Sequence, residues 1–349
     1  MERAEKIVPI DMDVWQAASE RWDSIAKPLG SFGVLEEMIC RIAAVQGSPD
    51  VDISRRCAVV MCGDHGVVAE GVTQCGSDVT AECAAAIASG RSNISAVASA
   101  YGIDVMAVDV GMSSDADAAG LVRRKAVHGT RNMVYGPAMT REETAAAIKT
   151  GIDIAGELKS QGVDIIITGE MGIGNTTASS AIASVLLGLP PREVTGRGAG
   201  LSSEGLERKI AAVERAIEVN HPSADDPVGV LSAVGGAEIA GMTGLFLGGA
   251  YYHIPVIADG VISAAAAAIA YGIAPLSGEY MLASHCSGEP AGEGLLRYIG
   301  LRPVIDAGLR LGEGTGGALL IPLLDGAIAL YRNSHRFDDT NIERYTEQK

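Results

Sequence analysis

A single carboxylate, Glu313, lies among glycines at the start of an almost wholly apolar segment near the end of the chain. The stretch reads LGEGTGGALLIP, and Glu313 is its one charged residue. A carboxylate in apolar surroundings has a raised pKa, which suits a general base working near neutral pH. The alternative is an acid near a helix N-terminus, where the helix dipole stabilises it by about 0.3–1 kcal/mol. Both interpretations of Glu313 fit the sequence.

Two glycine-rich segments predict a site for a phosphate group. In TGEMGIGNTTASSAI, a predicted strand enters a glycine-rich turn, and Asn175 and Thr176 can cap the following helix. In VTGRGAGLSSEGLERKI, Lys209 follows a second such loop and offers a point charge. Neither segment has the spacing of a dinucleotide fingerprint or a P-loop. An ordinary capped turn and a solvated lysine are the alternatives.

Polar residues also follow the predicted strands. Asp64 with His65, Asp109, Glu170 and Asp259 each come at the end of an apolar run. In a doubly wound parallel sheet, ligands bind beyond the C-terminal ends of the strands. These residues therefore predict a polar rim, although Asp64 also suits a turn closed by its own side chain.

One further cluster, SHCSGEPAGEGLL, places Ser284, His285, Ser287 and Glu289 within six residues. A Ser–His pair suggests a hydrolase, but the segment has no G-x-S-x-G elbow. Hydrogen bonding at a helix start is the favoured interpretation.

The elements that position these residues alternate between strands and helices. Apolar runs predict strands that end near Asp64, Asp109, Gly169 and Asp259, and helical patterns fall at about 78–100, 141–160, 176–188, 203–219 and 228–249. This alternation predicts an α/β fold with a doubly wound parallel sheet.

The two ends of the chain have a different pattern. The first 45 residues predict two helices broken at Pro28–Gly30, and the helix after Gly317 is followed by no strand. We expect residues 1–50 and 315–349 to form a small helical domain beside a Rossmann-like α/β domain of residues 51–314.

Composition excludes several classes of function. The net charge of −16 argues against a broad basic face for nucleic acid and favours small-molecule ligands. The six cysteines show no CxxC spacing, which predicts reduced thiols in the cytoplasm and no metal site.

The N-terminus has no apolar segment typical of a secretory signal. The apolar stretch 254–276 is interrupted by Asp259 and Gly260, so it predicts a strand, a turn and a buried helix rather than a membrane span.

The ordered set of motifs closely resembles the nicotinate-nucleotide–dimethylbenzimidazole phosphoribosyltransferase family. The resemblance covers roughly residues 20–332, and its motifs are KPLGSFGVLEEM, GDHGVVAEGVT, VDVGM, GPAM, GEMGIGNTT, VGGAEIAGMTG, DGVISAAA, SHCSGE and LRLGEGTGGALLIP. Each motif is unspecific alone, whereas their order is highly specific.

The resemblance implies a Rossmann-like domain, a small helical domain from both chain ends, and a homodimer. It also implies roles for individual residues. Glu313 matches the catalytic glutamate of the family, and Glu170 matches a second acid in the active site. The positions that resemble nucleotide and phosphate contacts are Gly172, Gly198, Lys209, Asp259, Gly260, Ser287 and Gly314, with Asn175 beside them.

The implied reaction transfers a phosphoribosyl group from nicotinate mononucleotide to 5,6-dimethylbenzimidazole, which gives α-ribazole 5'-phosphate for the nucleotide loop of cobalamin. It requires no cofactor and no metal. Glu313 would remove the N–H proton of the attacking base.

One segment, GVTQCGSDVTAEC, departs from the family pattern. Family members often place a Ser and a Gln there to contact the acceptor base, whereas Cys75 and Cys83 occupy the aligned positions here. Gln74, Ser77 and Glu82 are nearby substitutes. Unsubstituted benzimidazoles, adenine and phenols are therefore alternative acceptors.

Two other classes of function stay open from the sequence. A nicotinamide-dinucleotide oxidoreductase would share the fold type but lacks its early G-x-G-x-x-G fingerprint. A non-catalytic nucleotide-binding module would not need Glu313.

Overall fold

The computed structural model describes residues 3–116 and 118–346 of the chain. Within these residues the strands form one parallel sheet in the order β3-β2-β1-β4-β5-β6. The prediction of an α/β fold with a doubly wound parallel sheet is therefore confirmed. The strands are β1 Arg56–Gly63, β2 Ile103–Gly111, β3 Val122–Arg123, β4 Ile165–Met171, β5 Val256–Ala258 and β6 Met281–Ala283.

Helices cover both faces of this sheet. They are α1 Met12–Ser24, α2 Val34–Gln46, α3 Asp78–Ala88, α4 Asn93–Ala100, α5 Arg141–Ser160, α6 Asn175–Leu187, α7 Pro191–Val194, α8 Ser203–Asn220, α9 Pro227–Val234, α10 Ala237–Tyr252, α11 Val261–Ile273, α12 Ala291–Ile299 and α13 Thr315–Asn333.

Two of the predicted helices are each divided in two. The pattern at 78–100 is broken at Gly90, whose φ of +72° ends α3 before Ser92 caps α4. The pattern at 228–249 is broken at Gly235 and Gly236, between α9 and α10. Prediction of single helices there was wrong, because apolar periodicity continues across each short break, which only the glycines and the cap residue Ser92 mark.

The parallel register brings the strand ends together. Met61 of β1 pairs with Glu170 of β4, and Cys62 pairs with Asp109 of β2. Nearly all of β1 is buried, as expected for a central strand covered on both faces.

The terminal helices share a hydrophobic cluster with one face of the sheet. Trp22 of α1 and Tyr331 of α13 have ring centroids 5.0 Å apart. Ile39 of α2 belongs to the same buried cluster as Val60 and Ile167 of the sheet. The two chain ends therefore meet, while the division into domains at residues 50 and 315 stays a prediction.

The apolar stretch 254–276 folds as the sequence predicts. It contains β5, a turn at Asp259–Gly260, and the buried α11. Among the described residues, no helix combines the length and apolar character needed to cross a membrane.

Candidate active site

Glu313 has an unusual backbone conformation. Its φ is +61°, in the left-handed region. Among the described residues, the other non-glycine cases are His221 and His253, which end α8 and α10. Left-handed residues are common at such helix ends, whereas Glu313 precedes a helix. This conformation costs roughly 1–2 kcal/mol, so contacts around Glu313 must stabilise it.

The Glu313 carboxylate is held by the N-terminus of α4. One oxygen accepts a hydrogen bond from Asn93 Nδ2 at 2.7 Å, and the other accepts from the Ile94 backbone N–H at 3.0 Å. The residue is buried, but its polar neighbours differ from the apolar surroundings that the sequence suggested. The helix end that stabilises Glu313 belongs to α4, which lies 220 positions away. The two hydrogen bonds fix the direction of the carboxylate and leave lone pairs for a substrate proton.

Asp259 anchors the loop that carries Glu313. Its carboxylate accepts hydrogen bonds from the N–H of Gly317 at 2.9 Å, in the first turn of α13, and from the N–H of Gly314 at 3.3 Å, just before that helix. Burial raises the pKa of Asp259 to about 6, and the backbone N–H donors oppose this shift. The end of β5 is thereby tied to the start of α13.

Glu170 lies against the same loop. A Cβ on Gly312, whose φ is +86°, would overlap Glu170 Oε1, so only glycine fits there. The other carboxylate oxygen accepts from Asn175 Nδ2. Burial, with the neighbouring charge of Asp259, raises the pKa of Glu170 to about 8. The Glu170 carboxyl group therefore holds a proton at neutral pH.

Lys209 is a buried cation beneath the second glycine-rich loop. Its Nζ donates to Thr176 Oγ1 at 2.8 Å and to the Gly196 carbonyl at 3.0 Å, and its side chain has no solvent exposure. Desolvation lowers the pKa of Lys209 to about 8. A Cβ on Gly198 would lie 3.4 Å from Nζ, so the loop passes directly over the ammonium group. The interpretation of Lys209 as a solvated surface residue was wrong.

Two neighbouring cavities bring most of the predicted residues together. The larger, of about 180 Å³, is lined by residues that include Glu170, Gly172, Asn175, Gly198, Asp259, Gly260 and Ser287. The smaller, of about 90 Å³, shares Gly172, Asn175 and Gly198 with it and adds Cys75. The pKa of Cys83 is raised by burial and by the charge of Glu313, which places Cys83 near that carboxylate.

Part of the predicted polar rim serves the fold instead. Asp64 accepts from both the N–H and the hydroxyl of Ser113 at 2.8 Å, and Asp109 accepts from the Met112 N–H. His65 pairs with the buried Glu238 at 2.5 Å. These residues do not line either of the two cavities.

Another cavity, of about 630 Å³, lies around Tyr135 and contains none of the predicted site residues. Its two arginines form ion pairs, Arg131 with Glu143 and Arg141 with Asp226. Within residues 3–116 and 118–346, no group of three His, Cys, Asp or Glu side chains is placed to hold a metal ion.

Comparison with known proteins agrees with this geometry. A family model described as phosphoribosyltransferase matches residues 7–342. The nicotinate-nucleotide–dimethylbenzimidazole phosphoribosyltransferase of Acetivibrio thermocellus is 43% identical over 97% of this chain and 95% of its own. The enzyme of the same name from Ruminiclostridium cellulolyticum is 42% identical, over 99% of this chain and 98% of its own. The crystal structure of CobT from Thermus thermophilus has a TM-score of 0.90 and 39% identity, covering 95% of this chain and 100% of its own.

The chain belongs to the nicotinate-nucleotide–dimethylbenzimidazole phosphoribosyltransferase family.

Sequence reasoning missed two contacts in this member of the phosphoribosyltransferase family. Asn93 holds Glu313, but its segment was assigned to the interior of a helix, and only Gly90 and Ser92 indicated a helix start there. The sequence predicts that Glu289 belongs to a helix start, whereas its carboxylate accepts a hydrogen bond from the Gly198 N–H at 3.1 Å. The indication available in the sequence was that Glu289 lies two residues after Ser287, a predicted ligand contact.

Proposed function

We propose that this chain transfers the phosphoribosyl group of nicotinate mononucleotide to 5,6-dimethylbenzimidazole, with Glu313 as the general base. The observation that carries the proposal is the left-handed backbone of Glu313, whose carboxylate is oriented by Asn93 and Ile94. A strained, buried acid with fixed direction, next in sequence to Gly312 in the lining of the larger cavity, is typical of a catalytic group.

The transfer exchanges one ring nitrogen for another at the anomeric carbon. The bond from this carbon to the pyridinium nitrogen breaks, and its electron pair neutralises the leaving nicotinate ring. An imidazole nitrogen of the acceptor attacks the opposite face, which inverts β to α. The attack leaves the acceptor ring positively charged with its original N–H proton on the other nitrogen, and the Glu313 carboxylate removes that proton.

Glu170 is suited to interact with the donor ribose. At neutral pH its carboxyl group is protonated and can donate a hydrogen bond to a sugar oxygen, because its pKa is about 8. A bound pyridinium cation favours the ionised form, which then stabilises positive charge as it develops on the ribose. Asn175 keeps the carboxyl group in place by donating to it.

We propose that Lys209, Gly172, Gly198 and Ser287 bind the donor phosphate. Three features support this assignment: the buried ammonium group, the N-terminus of α6 beside it, and the glycine loop above it. A fixed phosphate holds the anomeric carbon in line with the acceptor, and such positioning supplies much of the rate in transfer reactions.

Cys75 and Cys83 are proposed as contacts of the acceptor ring. The charge of Glu313 raises the pKa of the nearby Cys83 thiol, and Cys75 lies close to Cys83 and lines the smaller cavity, which supports this assignment. Thiols are soft and weakly polar, so they suit an apolar aromatic ring.

Incubation with nicotinate mononucleotide and a panel of acceptors tests the function. The panel contains 5,6-dimethylbenzimidazole, benzimidazole, adenine and phenol, and mass spectrometry detects free nicotinate and each α-riboside phosphate. We expect the highest rate with 5,6-dimethylbenzimidazole. Absence of nicotinate release with every acceptor contradicts the proposal.

We further propose that the chain acts as a homodimer in the cytoplasm. The family resemblance supports the dimer, and exposed apolar side chains such as Tyr135 and Leu311 are compatible with an interface. All six cysteines are free thiols, which supports a reducing compartment. Light scattering of the purified protein measures the assembly state, and a monomeric mass contradicts the dimer.

A further inference from the structure

A carboxylate occupies part of the site where the donor phosphate is expected to bind. Glu289, which lines the larger cavity, accepts a hydrogen bond from the Gly198 N–H at 3.1 Å. Its second oxygen packs so closely on Gly196 that a Cβ there would overlap it. Glu289 therefore makes contacts with this loop that an anionic ligand would otherwise make.

The same carboxylate acts on the buried cation of the site. The negative charge of Glu289 raises the pKa of Lys209, opposing the effect of desolvation. Lys209 uses two of its three N–H donors on Thr176 and Gly196, and the described contacts include no ion pair between Lys209 and Glu289. The ammonium group and the carboxylate thus face the same loop from two sides.

A phosphate dianion cannot share this site with Glu289 at low cost. Like charges at close range repel, and the repulsion is large where water is excluded. The Glu289 backbone N–H also donates to Ser287 Oγ at 3.3 Å, so the hydroxyl and the carboxylate belong to one short segment ahead of α12. Rotation of the Glu289 side chain away from the loop would expose the Gly198 N–H while Ser287 keeps its place in the cavity lining.

We propose that Glu289 is an internal competitor of the phosphate group, which the donor displaces when it binds. This inference rests on the proposed function, because it takes the donor phosphate to bind at Lys209 and Gly198. Glu289 weakens binding of any ligand whose only contact is its phosphate. A nucleotide gains further contacts through its ribose and ring, so it displaces Glu289 where inorganic phosphate does not. Glu289 is thereby a specificity-determining residue.

The test compares Glu289→Gln with the parent protein. Glutamine keeps an oxygen that can accept from the Gly198 N–H but removes the charge. Glu293→Gln is the matched control, because Glu293 is an exposed acid four positions further along and pairs with Arg297. Glu289→Ala serves as a second variant, and thermal unfolding confirms that each variant is folded.

Titration calorimetry with inorganic phosphate supplies the first measurement, which requires no turnover. We expect Glu289→Gln and Glu289→Ala to bind phosphate about 10-fold more tightly than the parent, which corresponds to about 1.4 kcal/mol. Glu293→Gln should bind phosphate as the parent does. Unchanged or weaker binding by the Glu289 variants overturns the proposal, as does an equal gain in the control.

The second measurement separates the phosphate from the rest of the donor. We expect Glu289→Gln to lower the Kd for nicotinate mononucleotide while leaving the Kd for nicotinate riboside, which lacks the phosphate, unchanged. Weaker riboside binding assigns Glu289 to the ribose and overturns the proposal. If no acceptor supports transfer, the calorimetric comparison still decides the role of Glu289. If inorganic phosphate binds none of the four proteins, the phosphate site and the inference fail together.

Discussion

The carboxylate of Asp259 accepts a hydrogen bond from the Gly317 N–H at 2.9 Å, which joins the end of β5 to the first turn of α13. A second bond from Gly314 completes the contact. Because Glu313 immediately precedes Gly314, the backbone that carries the proposed base is anchored to the C-terminal end of β5. Glu313 therefore has two independent supports, one at its backbone and one at its carboxylate.

The first prediction concerns the backbone support. Asp259→Asn should lower kcat about 10-fold, because the amide group presents an N–H to one of the two N–H donors and frees the loop. Stability should change little, since about 1–3 kcal/mol of lost hydrogen bonding is offset by removal of a buried charge. Steady-state kinetics and chemical unfolding measure the two effects. Asp325→Asn is the control, because Asp325 of α13 pairs with Arg56 at the start of β1 rather than with the site. An Asp259→Asn enzyme with parental kcat contradicts the role.

The carboxylate support gives a second prediction. Asn93→Ala removes the donor to Glu313 and should lower kcat by about 10- to 100-fold, because misplacement of a catalytic group by about 1 Å has this effect. Donor KM should stay within about threefold. Ser99→Ala, on the exposed side of α4, is the matched control. If the Asn93 and Ser99 variants have the same kcat, orientation of Glu313 by Asn93 is excluded.

A third prediction concerns stability and pH. The pKa of Glu170 is about 8 in the folded protein against 4.5 in the unfolded chain, so the folded state binds more protons between these values. The contribution of Glu170 to the free energy of unfolding must then fall as pH rises from 4.5 to 8. Glu170→Gln removes this loss and should be more stable than the parent at pH 8, by about 4 kcal/mol. Urea unfolding across this pH range measures the difference. If the free energies of unfolding of the two proteins change with pH in the same way, the prediction is contradicted.

Lys209 gives a fourth prediction, about proton uptake. Its pKa is about 8 because it is desolvated, and a bound phosphate dianion should raise this pKa. At pH 8, binding of nicotinate mononucleotide should therefore take up a fraction of one proton more than binding of nicotinate riboside, since both ligands carry the pyridinium ring that favours ionised Glu170. Calorimetry in buffers of different ionisation enthalpy measures it.

Two controls accompany this measurement. Nicotinate riboside, without a phosphate, gives the reference value. Lys209→Met should abolish the difference in uptake and weaken nucleotide binding by about 10- to 100-fold, as expected for loss of a charge-assisted hydrogen bond. Equal uptake with nucleotide and riboside would assign the proton to another group.

The elements with strong local signals were predictable from the sequence. Helix α5 was predicted at 141–160 and observed at Arg141–Ser160, because Thr140 and Glu143 form a capping box at its start. The strands β3 and β6, of two and three residues, were not predicted because they carry no periodic pattern. The equally short β5 was predicted because it lies in the longer apolar run IPVIA that ends at Asp259. The parallel direction of the strands was predictable from the alternation of strands and helices along the chain.

The candidate site was predictable only in part. Glycine-rich loops and isolated acids at strand ends indicated Glu170, Asp259, Lys209 and Glu313, because their neighbours in sequence are unusual. The contact between Asn93 and Glu313 joins residues far apart in the chain, and nothing local to either encodes it. The same holds for Glu289 and Gly198, which meet only when α12 and the second glycine-rich loop pack together.

The rate of a single turnover by Glu313→Gln, measured with saturating nicotinate mononucleotide and 5,6-dimethylbenzimidazole, tests the central claim most directly. Glutamine can accept the hydrogen bond from Ile94 but cannot take up the acceptor proton. The account predicts a rate about 10²- to 10⁴-fold below the parent, with the donor Kd changed by less than about threefold. A Glu313→Gln protein that transfers the phosphoribosyl group at the parental rate would contradict it.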